Sequence, residues 1–498
     1  MIYHYHKPLS KGNCYIHVFP NIPYMEDWAR LWLEEQRKQG KKGLEIKKIG
    51  NHHYVYYSTT HWSKQLKKRI KSSDYIGKID PIKGFTEGVK RSITSKNLRG
   101  IKEYGNAVLF DHLLPDLRAC LQDAFPDEWK EIYAVAITRA MGYTPLKRIK
   151  SSWDKIYDIQ EINPQLDAKN LSKILKLVGS DSRAQDSVFK ALSMRDKELV
   201  YDLSTVLTRS SINFAEIGYN KGKVHVPQIN IALFCSMTTG LPTMIRTLPG
   251  SVRDIKSLYN SILEARKEGG TVVLDRGFFS KGTIQFLLEK GMNFILPARR
   301  NSRLYNTGID LSGHMFYQKR LIKCGKRKNE NIFLYLFEDQ QLKLEENTTL
   351  YRKLDEDKID EIDLTNSQER AGKILIVSNL DSDPKEIFMQ YKSRDRIEKL
   401  FDTYKNSLHS DILYLQDNES IFGHIFISFL SLYIYSKIEQ TLKRADILDK
   451  HSPKDVLLEL SKVYLVELDD CNLISEVPKK LEMLDKKMKL NLFPKARS

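Results

Sequence analysis

The run LVYDLSTVL, residues 199–207, marks the point at which the chain changes from helical periodicity to short apolar runs. Its β-branched and aromatic residues favour a strand. Side chains alternate between the two faces of a strand, so Asp202, in the middle of the run, shares a face with Val200 and Val206. An unpaired carboxylate on a half-buried strand is unfavourable. We therefore expect Asp202 to have a partner or a metal ion.

Short apolar runs continue on the C-terminal side of this strand. Two strands, a helix, a strand, a second helix and a last strand follow, which makes the order βββ-α-β-α-β. Their sequences are QINIALFCS (228–236), PTMIRTL (242–248), VRDIKSLYNSILEARKEG (252–269), TVVLD (271–275), KGTIQFLLEKG (281–291) and NFILPA (293–298). This order predicts an α/β fold, with a mixed sheet and helices on its faces.

A second aspartate, Asp275, ends the predicted strand TVVLD and precedes RGFF. The carboxyl ends of strands in an α/β sheet are where ligand-binding groups gather. Aspartate is also common in turns and at helix caps. Taken alone, each of the two aspartates therefore fits a turn or capping role as well as a site.

The run YKSRDRIEKLFDTYK, residues 391–405, lies in a predicted helix that spans 383–408. At ~100° per residue, four of its polar residues share one arc of ~60°: Tyr391, Arg394, Glu398 and Lys405. The adjoining face is apolar and predicts a contact with the core, through Ile397, Leu400, Phe401, Tyr404 and Leu408. The alternative is a solvated surface with Glu–Lys pairing, and we assign Asp395, Lys399 and Asp402 to such a surface.

Two aspartates on neighbouring strands and a glutamate on an adjacent helix would form a site with oxygen ligands only. Such ligands suit Mg²⁺ or Mn²⁺ rather than zinc. Two ions of this kind activate a water and stabilise the leaving oxygen in phosphodiester cleavage. Arg394 and Lys405, on either side of Glu398, would neutralise phosphate. Tyr391 would donate to another phosphate oxygen or stack on a base.

The other segments differ in composition. Residues 1–104 form a basic N-terminal region, and 61–100 hold 11 Lys or Arg against 3 Asp or Glu. This excess fits either a solvated surface or an arm that grips phosphates. Residues 105–198 predict a helical domain. Residues 299–382 predict a β-rich insertion whose part 338–370 is acidic, and 446–498 predict a basic C-terminal helical region.

The whole chain of 498 residues carries a formal net charge of +17, which favours a polyanionic partner, nucleic acid before a membrane surface. Its five cysteines are scattered singly, as suits a reducing compartment. The most hydrophobic run, IFGHIFISFLSLYIY (421–435), is shorter than the ~20 residues of a membrane span and predicts a buried helix. We therefore expect a cytoplasmic, nucleoid-associated protein without a membrane partner.

The spacing Y-(2)-R-(3)-E-(6)-K in residues 391–405 resembles the signature of insertion-sequence DDE transposases of the insertion-sequence-four type. VYDLSTVL and VVLDRGFFS resemble the first and second aspartate strands of that family. PGSVRD (249–254) is similar to its Pro-Gly-Asn-x-x-Asp turn, with Ser251 where asparagine is usual. YIGKIDPIKG and FPDEW resemble the branch with long N-terminal sections. The resemblance covers roughly residues 50–440.

The resemblance implies a ribonuclease-H-like catalytic core, formed by 199–298 and 383–445 and interrupted by the insertion at 299–382. It implies a catalytic triad that holds two Mg²⁺ or Mn²⁺ ions, formed by Asp202, Asp275 and Glu398. It also implies DNA-phosphate contacts, made by Tyr391, Arg394 and Lys405, with Arg276 as a further DNA-facing residue.

The family's reaction is two-metal hydrolysis at the ends of the element, followed by attack of the freed 3′-OH on target DNA. Some members pass through a DNA hairpin, and the insertion is associated with handling it. The implied partners are double-stranded DNA, as terminal inverted repeats and target, and a second copy of the chain in a synaptic homodimer. Two alternatives stay open: a metal-dependent nuclease on the same fold without strand transfer, and a transposase-derived DNA-binding protein that does not cut.

Overall fold

A computed structural model describes residues 26–49, 52–63, 68–88, 98–142, 144–193, 198–208, 214–217, 227–250, 259, 270–410, 412–469 and 471–493. The chain divides into two compact units, Met1–Leu98 and Arg99–Ser498. The predicted helix at 252–269, apart from Tyr259, and the last four residues of the PGSVRD turn lie outside the described residues.

Within its described residues, the first unit has one helix and a four-stranded antiparallel sheet in the order β1-β2-β3-β4. Its elements are α1 (Asp27–Lys38), β1 (Leu44–Ile49), β2 (His52–Ser63), β3 (Lys68–Asp80) and β4 (Gly84–Glu87). The aromatic run YVYYS, residues 54–58, lies within β2. The turn between β3 and β4 is confined to 81–83, where Asp80 accepts hydrogen bonds from the amides of Ile82 and Lys83.

The small core of this unit lies between α1 and one face of the sheet. Ala29 and Leu33 are four residues apart and so lie on one side of the helix. They pack on buried sheet residues, which are Ile46, Val55 and Ile79. The alternation of strand side chains therefore leaves the other face of the sheet uncovered by α1.

Helices follow β5 (Leu98–Glu103) at the start of the second unit, as predicted for residues 105–198. They are α2 (Gly105–Leu113), α3 (Pro115–Ala124), α4 (Trp129–Met141), α5 (Ile149–Trp153), α6 (Ala168–Ser180) and α7 (Ser182–Ser193). The later helices are α8 (Lys281–Glu289), α9 (Gln340–Asp355), α10 (Glu361–Gln368), α11 (Pro384–Lys392), α12 (Asp395–Asp402), α13 (Asn418–Arg444), α14 (Pro453–Leu460) and α15 (Lys479–Met488).

The strands of this unit form two sheets. They are β5 (Leu98–Glu103), β6 (Glu198–Thr208), β7 (Glu216–Ile217), β8 (Pro227–Ser236), β9 (Pro242–Pro249), β10 (Thr271–Val273), β11 (Asn293–Pro297), β12 (Gly313–Tyr317), β13 (Arg320–Asn329), β14 (Ile332–Asp339), β15 (Lys373–Ser378), β16 (Ile412–Leu413), β17 (Tyr464–Leu468) and β18 (Asn472–Ile474). The large sheet contains β6 to β16, and the small one has the order β18-β17-β5.

The centre of the large sheet is mixed, as predicted. Its order is β9-β8-β6-β10-β11, in which the first two pairings are antiparallel and the next two parallel. The inserted strands continue the same sheet antiparallel beyond β11, in the order β15-β14-β13-β12. β6 is therefore a central strand, which agrees with the burial of Val200, Tyr201 and Val206.

The acidic stretch 338–370 belongs to the segment that we predicted to be β-rich, but most of it forms helices α9 and α10. Some of its acidic residues lie at the N-termini of these helices. Asp339 accepts from the amides of Gln341 and Leu342, and Asp360 accepts from Asp363. Carboxylates at these positions satisfy amides that have no partner in the first turn.

Helix α13 is the central helix of the second unit and packs on α4, α6 and β9. It is the one helix among the described residues that is long and apolar enough to cross a membrane, and 83% of its apolar window is buried. The prediction of a buried helix is confirmed. A Cβ on Gly179 of α6 would lie 1.8 Å from the Glu419 carbonyl oxygen, and one on Gly423 2.0 Å from that of Leu175, so these two glycines permit close packing of the helices.

We predicted that the C-terminal region is helical, but the structure shows strands there as well. Residues 446–498 contain α14 and α15, but also strands β17 and β18. β17 pairs with β5, which is distant in the sequence. A strand that is stabilised by such a long-range pairing leaves little local signal.

Candidate active site

Asp202 and Asp275 lie at the same level of the sheet. β6 and β10 are parallel, and Val200 is opposite Val273. Continuing this register by two residues places Asp275 beside Asp202, on strands ~4.8 Å apart. Asp275 also accepts a hydrogen bond from the Gly277 amide at the start of the short helix Arg276–Phe278. Asp275 therefore has the predicted turn role, and this role leaves it next to Asp202.

The half-buried carboxyl of Asp202 is electrostatically unfavourable in its charged form. Burial raises its pKa to about 6, and the carboxylates of Asp275 and Glu398 act in the same direction. The Leu203 amide, which donates to Oδ1 at 2.8 Å, and the Arg394 guanidinium act in the opposite direction. The three predicted acids therefore lie within electrostatic range of one another.

Arg394 joins the other two acids. Its guanidinium forms ion pairs with Asp275 and with Glu398, and its side chain is only 18% exposed. Burial acts to lower the pKa of Arg394, but nearby acidic groups, foremost Asp275, outweigh that effect and raise it. The positive charge of Arg394 thus offsets the electrostatic repulsion among these carboxylates.

The helix that carries these residues is not the continuous α-helix that we predicted over 383–408. α11 ends at Lys392, and a tight turn follows in which the amides of Arg394 and Ile397 donate three residues back. α12 then runs into a wide π-helical turn, Thr403–Ser407, closed by the bond from the Leu408 amide to the Thr403 carbonyl. A constant step of ~100° per residue therefore does not describe this segment.

The two faces of this segment nevertheless agree with the prediction. The apolar residues are buried, namely Ile397, Leu400, Phe401, Tyr404 and Leu408. The residues assigned to the solvated surface are exposed, namely Asp395, Lys399 and Asp402. The buried side places α12 against β6 and β8. Arg396, which we did not single out, donates to the Met237 carbonyl just after β8 and holds the helix there.

Tyr391 and Arg276 lie beside the acids. Burial raises the pKa of Tyr391, and the electrostatic influence of Arg394, Arg276 and Asp275 places all three near its phenol. Arg276 has a buried Nε atom for which the described residues supply no hydrogen-bond acceptor. Lys405 is half-buried in the π-helical turn, seven residues beyond Glu398.

The Pro-Gly pair at the end of β9 has a steric explanation. A Cβ on Gly250 would lie 2.2 Å from the Gln228 carbonyl oxygen and 2.4 Å from that of Glu216, so only glycine fits. The side chains of Gln228 and Asn230 donate to the Gly250 carbonyl, each at 3.1 Å. Neither residue carries a recognisable sequence signal.

The acids fit a hard divalent cation in donor type, since all their ligand atoms are oxygens. In the part of the chain that the structure describes, no group of three His, Cys, Asp or Glu residues is close enough to hold a metal ion. Arg394 lies between Asp275 and Glu398 instead. The residues therefore fit Mg²⁺ or Mn²⁺ on condition that the guanidinium leaves these carboxylates.

Residues 194–434 match the family model described as "Transposase DDE domain". The match begins just before β6, ends within α13 and contains all seven predicted site residues. It supports a DDE transposase as the class of protein to which this region is similar.

Among solved structures, the chain resembles the piggyBac transposase in a cryo-EM structure of its synaptic complex with hairpin DNA. The identity is 14%, the TM-score is 0.39, and 74% of each chain is covered. No curated protein matches.

Proposed function

We propose that the chain is a DDE transposase that moves an insertion sequence by cut-and-paste, through metal-dependent hydrolysis and strand transfer at terminal inverted repeats. One observation carries the proposal. Three acids from β6, from the end of β10 and from α12 converge on one arginine, within the region that matches the transposase DDE domain. The proposal includes a homodimer on paired ends that acts on nucleoid DNA in the cytoplasm.

The proposed fold of the core is ribonuclease-H-like. The order β9-β8-β6-β10-β11, with its two antiparallel and two parallel pairings, supports it. Residues 199–298 and 383–445 would form this core, and 299–382 would form the insertion. Asp202 lies on the central strand and Asp275 after its parallel neighbour, which is where such a sheet gathers ligand-binding groups.

In the proposed mechanism Asp202, Asp275 and Glu398 hold two Mg²⁺ or Mn²⁺ ions. Bound there, the ions would activate a water or a 3′-OH and stabilise the leaving oxygen. Arg394 would leave the carboxylates and bind a DNA phosphate, for which its planar guanidinium is suited. Tyr391, Lys405 and Arg276 would contact further phosphates.

The reaction assay separates the alternatives. The protein is incubated with the ends of its own element, target DNA and Mg²⁺. Joined products support transposition, whereas cleavage without joining favours the nuclease. Binding without any reaction favours the DNA-binding alternative. Short inverted repeats on both sides of the gene would support the assignment to an insertion sequence independently.

For Arg394 we expect Arg394→Gln to tighten Mn²⁺ binding in the absence of DNA, roughly tenfold, and to weaken DNA binding. The reason is competition: the guanidinium and the metal ion share Asp275 and Glu398, and a tenfold change corresponds to about 1.4 kcal/mol. Titration calorimetry with Mn²⁺ measures the first effect. Lys399→Gln, an exposed change next to Glu398, is the control and leaves the affinity unchanged. Equal or weaker Mn²⁺ binding in Arg394→Gln would contradict the competition.

For Lys405 we expect Lys405→Ala to weaken binding of all duplexes alike and to reduce the slope of log Kd against log salt by about 1, because one phosphate contact is lost. Fluorescence anisotropy at several salt concentrations measures the slope. Lys399→Ala, on the solvated side of α12, serves as the control. A slope that stays at the wild-type value would remove Lys405 from the phosphate contacts.

A further inference from the structure

The sheet of the first unit has one face that α1 does not cover. The register places Tyr56 of β2 opposite Tyr75 of β3, and Tyr54 opposite Lys78. A bulge beside Val55 breaks the alternation, so that Ile76 packs on the core while Tyr75 lies on the other face. The alternation in β1 adds Lys47 to the same face, and its ammonium lies 4.6 Å from the centre of the Tyr56 ring.

The β2–β3 hairpin extends beyond the rest of the sheet. β1 pairs only with 52–57, and β4 pairs only with 77–80. The outer parts, 58–63 and 68–73, therefore form a two-stranded ribbon of about 20 Å at ~3.4 Å per residue. On the face defined above this ribbon carries Trp62, which is 60% exposed, opposite Arg69.

The charges on this face are mainly positive. Lys47, Arg69, Lys71 and Lys78 belong to it by register. Its carboxylates are engaged within the unit: Glu45 pairs with Lys71 at 2.6 Å, and Asp80 accepts two backbone amides. Such a face is complementary to a polyanion.

We propose that this surface, which we call the tyrosine–lysine face, binds duplex DNA, with the ribbon in the major groove. It is defined by Lys47, Tyr56, Trp62, Arg69, Tyr75 and Lys78. The major groove admits a two-stranded ribbon, and basic side chains and tyrosine hydroxyls are suitable contacts for the phosphates on either side. The inference rests on the proposed function, which makes DNA the partner. It adds a second DNA-binding surface, on the sheet of the first unit, to the proposed DNA contacts of the second unit.

The ring geometry favours duplex over single-stranded DNA. Single strands bind by stacking bases on open aromatic faces. Here Tyr54 and Tyr56 both pack edge-to-face on Tyr75, at interplanar angles of 62° and 63°. Lys47 lies over the Tyr56 ring. The tyrosines therefore offer hydroxyls and edges rather than free faces.

The test uses the full chain in EDTA, which prevents cleavage. The variant Arg69→Gln/Lys78→Gln is compared with Arg30→Gln/Lys38→Gln, which removes the same charge from α1. The probes are a 30-base-pair duplex from the DNA that flanks the gene and a scrambled duplex of equal composition. We expect the first variant to bind at least tenfold more weakly, with a salt slope lower by about 2, and the control to stay within twofold.

Three outcomes would overturn the inference: wild-type binding by Arg69→Gln/Lys78→Gln, an equal loss in the α1 control, or tighter binding of a single strand of the same length. A third variant, Trp62→Ala, keeps the charge and lies outside the unit's core; loss of binding there at unchanged thermal stability supports the groove contact. A failure of the proposed function gives a different result from a failure of this inference. In that case the wild type binds DNA through this face but does not cleave it with Mg²⁺ or Mn²⁺.

Discussion

Replacement of Glu398 by glutamine is expected to abolish DNA cleavage while leaving DNA binding intact. The change keeps the size of the side chain but removes an anionic oxygen ligand, and glutamine cannot neutralise a divalent ion. We expect the cleavage rate to fall by at least about 10³-fold, which corresponds to roughly 4 kcal/mol of transition-state stabilisation. The measurement is the rate of strand cleavage with Mg²⁺ or Mn²⁺ at saturating DNA.

The fold of this variant should be unaffected. The Glu398 side chain is 53% exposed, and its ion pair with Arg394 is of a kind that contributes little to stability. Glu386→Gln, the same change at an exposed position of α11, is the matched control and should cleave at the wild-type rate. Full cleavage by Glu398→Gln would refute the assignment of the triad.

Replacement of Asp202 by asparagine is expected to change activity and stability in opposite directions. Cleavage should be lost, because a metal ligand is removed. The metal-free protein should become more stable at pH 8, by about 3 kcal/mol, since the folded state raises the pKa of Asp202 from 3.8 to about 6. Asparagine fills the same space without a charge, and its carbonyl can still accept the Leu203 amide.

The direction of this stability change, and its dependence on pH, follow from proton linkage. An acid whose pKa is raised by folding destabilises the fold above its unfolded pKa, because the unfolded chain ionises more readily. The gain from Asp202→Asn is therefore nearly absent below about pH 3, roughly half present at pH 5 and complete above about pH 7. Unfolding midpoints in urea, recorded at pH 5 and pH 8 without divalent metal, measure it. Asp449→Asn, at an exposed position, should show no such gain. A midpoint that is lowered, or that shifts equally at both pH values, would contradict the cause given for the raised pKa.

Local patterns predicted the parts of this protein that depend on neighbours in the chain. Apolar runs of five to nine residues identified the strands β6, β8, β9, β10 and β11. Helical periodicity identified the buried side of the segment around Glu398 and the solvated positions beside it. Both results depend on the alternation of side chains in space, which is set by the backbone alone.

The same reasoning failed where a distant segment decides the structure. The predicted single helix at 383–408 is interrupted by a tight turn before α12 and followed by a π-helical turn. The C-terminal region contains two strands because β17 pairs with β5, which is distant in the sequence. Neither change is visible in a window of residues, since its cause is packing against other elements.

The amino-acid sequence by itself predicted the candidate acids, a mixed sheet with its strands in this order along the chain, the burial of α13 and the basic character of the chain. Only the tertiary structure decided that Arg394 lies between Asp275 and Glu398, that Arg396 holds α12 to the end of β8, and that the tyrosine–lysine face lies on the side of the sheet opposite α1. The reason is the distance along the chain over which each kind of interaction acts. Periodicity acts over a few residues, whereas ion pairs and sheet faces depend on which distant segments meet.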